Sequence, residues 1–150
     1  MLLADRAGGD PEAVKQARLR GLGPVQDPPP RPPGRRVLIV DDNRDVANSL
    51  CLLLELLGHQ VRVAYSGPDG VWVGQQWLPE VVFCDVGLPG LDGYGVAAEL
   101  RRLPGRRPCL VAVTAYGTED VRRRARESGF DHFFTKPAEP RDLVALVDHP

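Results

Sequence analysis

Lysine is nearly absent: of 19 basic residues only Lys15 and Lys136 are lysines, and the rest are arginine. Cysteine is scarce too. The three present, Cys51, Cys84 and Cys109, are odd in number and widely spaced in apolar runs, which excludes a disulfide framework or a zinc knuckle. Reduced, buried thiols in a cytoplasmic protein are expected instead. No apolar run is long enough to span a bilayer, so no membrane partner is expected. Asp5 and Arg6 fall where a secretory signal would need its apolar stretch. There is almost no net charge, −1 from 19 basic and 20 acidic residues, so the chain carries no polyanion-binding footprint. A Gly-rich phosphate loop is missing as well. The first apolar run leads into Asp41-Asp42-Asn43, which argues against a dinucleotide-binding domain.

What is there divides near residue 36. Six prolines lie between Pro24 and Pro33, a composition that favours extended backbone without amide donors. Residues 1–36 carry seven basic and four acidic groups, net +3; residues 37–150 carry twelve and sixteen, net −4. Residues 1–35 are therefore expected to be a Pro-rich, disordered tail or linker, and residues 36–150 a folded domain. A short helix could start at Asp10-Pro11 and stop at Gly21, too short to be stable alone.

From Val37 the chain alternates short apolar runs with helical stretches. The runs are VLIV (37–40), QVRVAY (60–65), EVVFCD (80–85), CLVAVT (109–114) and HFFTK (132–136). Three are continuously apolar, as parallel strands covered on both faces require. The second alternates Val61 and Val63 with Arg62 and Ala64, which suits a half-exposed edge strand. Val46, Leu50, Leu53, Leu54 and Leu57 follow helical spacing up to Gly58, and segments 67–78, 93–103, 119–128 and 140–147 can each hold a helix. Five βα units predict a doubly wound α/β domain.

In such a sheet, ligands bind at the carboxyl ends of the strands. There the sequence puts Asp41 and Asp42, Asp85, Thr114 and Lys136. Three carboxylates cannot lie close together fully ionised without a cation or raised pKa values. Oxygen ligands of this kind suit Mg²⁺, and a hydroxyl and a lysine beside it can take phosphoryl oxygens. Taken singly, each residue has a plainer reading. Asp42 or Asn43 could cap the next helix, Asp92-Gly93 could start another, Thr114 could cap a strand and Lys136 could be a solvated charge.

The ordered set resembles a known family. Val37-Leu-Ile-Val-Asp-Asp-Asn, Asp85 followed by Gly87-Leu-Pro-Gly-Leu-Asp-Gly93, Thr114-Ala115 and Lys136-Pro137 together are similar to the receiver domain of two-component response regulators, over about Arg36 to Val147. The resemblance implies a flavodoxin-like, five-stranded parallel sheet in the order 2-1-3-4-5 with helices on both faces. It implies Asp85 as phosphoacceptor and Mg²⁺ held by Asp42, by Asp41 largely through water, by Asp85 and by the Gly87 carbonyl. Thr114 and Lys136 would contact phosphoryl oxygens. Thr114 and Phe133 would form the switch, although Phe133 lacks the hydroxyl a tyrosine would bring. The plainer reading puts Phe133 and Phe134 on opposite faces of the sheet. Gly87 should open the site to water, and Tyr116 could shield it.

The implied partners are a sensor histidine kinase or a histidine phosphotransfer protein, and a downstream protein of unknown identity. No helix-turn-helix follows the domain, so direct DNA binding is not expected. Arg122, Arg123, Arg124 and Arg126 make the fourth helix basic, as a solvated face or a docking surface. Three functions follow: a phosphoacceptor without external substrate turnover, free-standing or of the kind fused to hybrid kinases; a receiver-like scaffold that is never phosphorylated; or an aspartyl-phosphate phosphatase. The phosphatase would need an acid/base Asp two residues after Asp85, where Gly87 stands.

Overall fold

The apolar run Val37–Val40 forms the centre of the fold because its residues are buried on both sides, each at most 3% exposed. It belongs to strand β1 (Arg36–Val40) of a computed structural model that describes residues 33–150. The helix expected from Asp10 and the proline cluster fall almost wholly outside the described residues. The elements that follow are α1 (Arg44–Leu56), β2 (Gln60–Ala64), α2 (Gly67–Trp77), β3 (Val81–Cys84), α3 (Gly93–Arg101), β4 (Cys109–Thr114), α4 (Glu119–Ser128), β5 (His132–Thr135) and α5 (Pro140–Asp148). All strand pairs are parallel, in the order β2-β1-β3-β4-β5. The expected doubly wound sheet is there, with element ends shifted by one or two residues.

Each strand sends alternate side chains to opposite faces. Leu38, Val40, Val82 and Cys84 join Val96, Leu100 and Ala125 under α2, α3 and α4. Val37, Ile39, Val81 and Phe83 join Ala47, Leu54, Leu143 and Val147 under α1 and α5. The helix starts are set locally: Asn43, Ser66, Asp92 and Thr118 each accept the N–H three residues on. Asn43, not Asp42, is the cap of α1.

Two expectations need correcting. Ala64 is not a solvent-facing partner of Arg62 in the β2 alternation; it is 3% exposed, because α2 covers that end of the edge strand. Of the thiols, only Cys84 is buried. Cys51 on α1 and Cys109 at the start of β4 are half-buried, since both lie at the margin of the core beneath it. Burial foremost, then the neighbouring Asp85 and Asp41 charges, drives the Cys84 thiol far above its ordinary range, so it stays protonated.

At the opposite end of the sheet from the strand-end polar residues, Asp131 ties three segments together. Its carboxylate accepts from Leu110 N–H (2.9 Å), the Arg101 guanidinium (2.6 Å) and Arg107 (3.0 Å). Partial burial works to raise its pKa, but the Leu110 N–H and the two arginines outweigh this, and the group titrates below its ordinary value. A depressed carboxyl contributes stability that is present above the unfolded pKa, about 3.9, and lost as pH falls through the folded value. Asp131→Asn should therefore cost about 1–2 kcal/mol at pH 7 after allowing for solvent screening. Urea denaturation at pH 7 and near pH 3 checks this. The gap between variant and wild type should shrink at the lower pH, and a gap equal at both would refute the charge argument.

Candidate functional site

The strand ends are held level by backbone bonds that continue past the strands. Asp41 N–H donates to Ala64 O (3.1 Å), Asp85 N–H to Val40 O (2.9 Å) and Lys136 N–H to Thr114 O (2.8 Å). Residues adjacent to each strand end therefore meet at one edge, although up to 95 residues separate them in sequence. Lys136 Nζ bridges Asp41 Oδ2 at 2.8 Å and Asp85 Oδ2 at 3.2 Å. The second Asp85 oxygen accepts Gly87 N–H (3.0 Å), and the second Asp41 oxygen accepts Asn43 N–H (2.9 Å). Asp41, Asp42 and Asp85 each present an oxygen within 4.8 Å of the others. The sequence-predicted carboxylates and lysine are thus brought together.

The charge balance is uneven. Partial burial works to lower the Lys136 pKa, but the Asp41 hydrogen bond and charge, with Asp85 behind them, win and raise it. Lys136 therefore remains a full cation through the neutral range, facing three carboxylates. Asp41 is 5% exposed and Asp42 is exposed, with no side-chain hydrogen bond or ion pair among the described residues. One lysine leaves the cluster short of positive charge. A divalent, oxygen-seeking cation would supply it.

The loop after β3 has a steric constraint of its own. A Cβ on Gly93 would lie 2.4 Å from Asp85 O and 2.6 Å from Val86 Cα, so only glycine lets α3 begin against the Asp85 carbonyl. Gly90 has φ +75°, the left-handed region that glycine adopts at least cost. The GLPGLDG wording is thus a turn requirement as much as a chemical one. The Lys136-Pro137 peptide is cis.

Thr114 is fully buried, and its hydroxyl accepts the Tyr116 N–H at 3.3 Å. Phe133 packs under α4 and Phe134 faces α1 and α5, the opposite-face arrangement of adjacent strand residues. Tyr116 is 64% exposed, and a Cβ built on Gly87 would meet its ring edge at 3.7 Å and Asp85 Oδ1 at 3.8 Å.

Some features escaped the sequence reading. A groove of about 610 Å³ beside the site has apolar walls that include Leu50, Leu53, Val113 and Leu143 and reaches Asp85 and Lys136. Arg122 lies 4.7 Å over the Phe133 ring, and Arg124 4.2 Å over that of Tyr94. The crowding of arginines on α4 was visible in the sequence, but which of them meets an aromatic ring was not.

The family model of the response regulator receiver domain matches residues 37–148. The chain is 36% identical over 112 residues to an uncharacterized 14.6 kDa protein of the sodA1 3′ region of Leptolyngbya boryana, covering 74% of this chain and 86% of that protein. It is 34% identical over 115 residues to the probable transcriptional regulator ycf27 of Guillardia theta, covering 75% of this chain but only 43% of that protein. Among solved structures, a putative response regulator from Chloroflexus aurantiacus is 36% identical with a TM-score of 0.70, covering 76% of this chain and 94% of that one. The receiver domain of the sensor histidine kinase PA1611 from Pseudomonas aeruginosa, with a magnesium ion in its active-site cleft, is 27% identical with a TM-score of 0.69, covering 76% and 94%. The sheet order, the acidic cluster at its carboxyl edge and these likenesses agree: the chain belongs to the response regulator receiver domain family.

Proposed function

We propose that this receiver takes a phosphoryl group onto Asp85, from a phosphohistidine on a sensor histidine kinase or a histidine phosphotransfer protein, and that the modified domain signals to a downstream protein. The observation that carries this reading is the Lys136 bridge between Asp41 and Asp85 inside a three-carboxylate cluster. An Asp85 oxygen forms a bond to phosphorus while the phosphorus–nitrogen bond of the donor imidazole breaks, the electron pair staying on that nitrogen. Lys136, already 3.2 Å from Asp85, offsets charge on a phosphoryl oxygen. Thr114 turns its hydroxyl from the Tyr116 N–H towards another. The chain's contribution is positioning and electrostatics, as in phosphoryl transfer generally.

The donor set fits Mg²⁺: all the side-chain ligands are carboxylates and, among the described residues, Asp42 has no competing partner and the Lys136 ammonium is committed to Asp41 and Asp85. Asp42, Asp85 and the Gly87 carbonyl would hold it directly, and Asp41 largely through water. When bound, the cation would neutralise charge on the carboxylates and the transferring group. The Tyr116 ring beside Gly87 favours shielding of the acyl phosphate over free access of water.

Gly87 carries no acid or base, so a phosphatase acting on external esters has nothing to support it. A scaffold that is never phosphorylated would need a lysine beside the buried Asp41, but not the exposed Asp42 carboxylate added to the cluster. The cytoplasm is the compartment where the proposed kinase partner would meet this domain, and the reading requires no DNA contact.

Intact-mass measurement with Mg²⁺ and a small-molecule phosphodonor tests the proposal. One phosphoryl adduct should appear, and removal of Mg²⁺ by EDTA should abolish it. No adduct under either condition would turn the reading to the scaffold, and steady phosphate release from an ester would turn it to the phosphatase.

A further inference from the structure

The geometry points to Arg122 as a positioning residue that links the Thr114 loop to Phe133 and holds the unphosphorylated arrangement. This rests on the phosphoacceptor reading above and goes beyond it, to a residue that neither the acidic cluster nor the strand ends would single out. Arg122 reaches two ways from α4. Its guanidinium lies 4.7 Å over the Phe133 ring, and its Nε donates to Gly117 O at 3.4 Å. Gly117 follows Tyr116, whose N–H is held by the Thr114 hydroxyl at 3.3 Å. A chain of contacts therefore runs from Thr114 through Tyr116 and Gly117 to Arg122 and onto the face of Phe133.

The chain of contacts is close-packed at Gly117. A Cβ on Gly117 would come 2.8 Å from Thr135 Oγ1, so the loop already lies close against β5 and has little room to move further inward. When the Thr114 side chain is drawn towards a phosphoryl oxygen, its 3.3 Å bond from Tyr116 N–H lengthens and the loop anchor weakens. The Arg122–Gly117 bond then weakens, and the guanidinium no longer pins the ring. Phe133 has no hydroxyl with which to hold its own position, so an external clamp is the available means.

The attachment of α4 makes such a clamp effective. Only Ala125 of its ten residues is buried, with Val121 partly buried beside it, so the apolar contact of the helix is small. Two arginines on aromatic rings add to it, Arg122 on Phe133 and Arg124 on Tyr94. Among the described residues Arg124 has no hydrogen bond to the Thr114 loop. It is therefore a comparison on the same helix, with the same kind of interaction made to Tyr94 at the start of α3 instead of to Phe133.

Fluorine NMR on protein labelled with 4-fluorophenylalanine, which has four resonances for four phenylalanines, reads Phe133 directly once Phe133→Leu has identified its signal. Beryllofluoride with Mg²⁺ serves as the phosphoryl mimic. In the free protein, Arg122→Gln should shift the Phe133 resonance, and Arg122→Lys should shift it less. Arg122→Gln should also lower the beryllofluoride midpoint by about three-fold, because a contact made only in the free state is gone. Arg124→Gln, which loosens α4 without removing the contact on the ring, should change both readings less than Arg122→Gln. An unchanged midpoint in Arg122→Gln, with wild type responding normally, overturns the clamp and leaves the phosphoacceptor standing. Equal effects from both arginines overturn it as well, reducing Arg122 to a structural contact. A wild-type protein that does not respond to beryllofluoride removes both readings together.

Discussion

Asp85→Asn should take up no phosphoryl group under conditions where the wild type is modified once per chain. Asparagine keeps the acceptor for the Gly87 N–H and nearly the same volume, so the loop after β3 has no reason to move. What is lost is the anionic oxygen that would bond to phosphorus, and with it one of the three carboxylates proposed to hold Mg²⁺. Lys136 keeps Asp41 at 2.8 Å and therefore stays ordered. Circular dichroism should be unchanged, Mg²⁺ binding weaker, and the intact mass that of the unmodified chain. An adduct of wild-type yield in this variant would put the phosphoryl group elsewhere and end the assignment of Asp85.

The second large effect is on stability. Phe83→Ala should destabilise the domain by about 3–5 kcal/mol, a large part of the roughly 5–15 kcal/mol that holds a domain of this size. Phe83 is 2% exposed on β3, between β1 and β4, and packs among Val37, Ile39, Leu54 and Leu143. Truncation leaves a cavity that neighbours from two strands and two helices cannot collapse to fill, since parallel strands are fixed by their ladders on both sides. Urea denaturation should show a lower midpoint with an unchanged slope. A loss under 1 kcal/mol would mean that the α1–α5 side of the sheet is much looser than its burial indicates.

Most of the strand and helix plan was legible because each signal is local. Continuous apolar runs such as Val81–Cys84 mark strands buried on both faces, and Gly58 marks the end of α1. The site was legible for a related reason. In a parallel sheet the carboxyl ends lie along one edge, so polar residues that close apolar runs must become neighbours. Asp41, Asp85 and Lys136 needed only that rule and the strand order, which the family resemblance implied.

Other features depended on contacts no local pattern encodes. The alternation in β2 put Ala64 with Arg62, but α2 crosses that end of the strand and buries it. Cys51 and Cys109 sit in apolar wording, yet the core stops short of enclosing them. Both outcomes depend on where a distant helix lies, which strand periodicity does not specify.

The sequence by itself determined the fold class, the five strand ends and the set of polar residues on them, because periodicity, turn chemistry and residue type are properties of neighbouring positions. Only the tertiary structure decided which partners those residues hold: Lys136 shared between two carboxylates, Thr114 turned to its own loop, and Arg122, out of the four arginines of α4, laid on Phe133. Such choices depend on distances of a few ångströms between elements far apart in the chain, and those distances are fixed only when the layers pack.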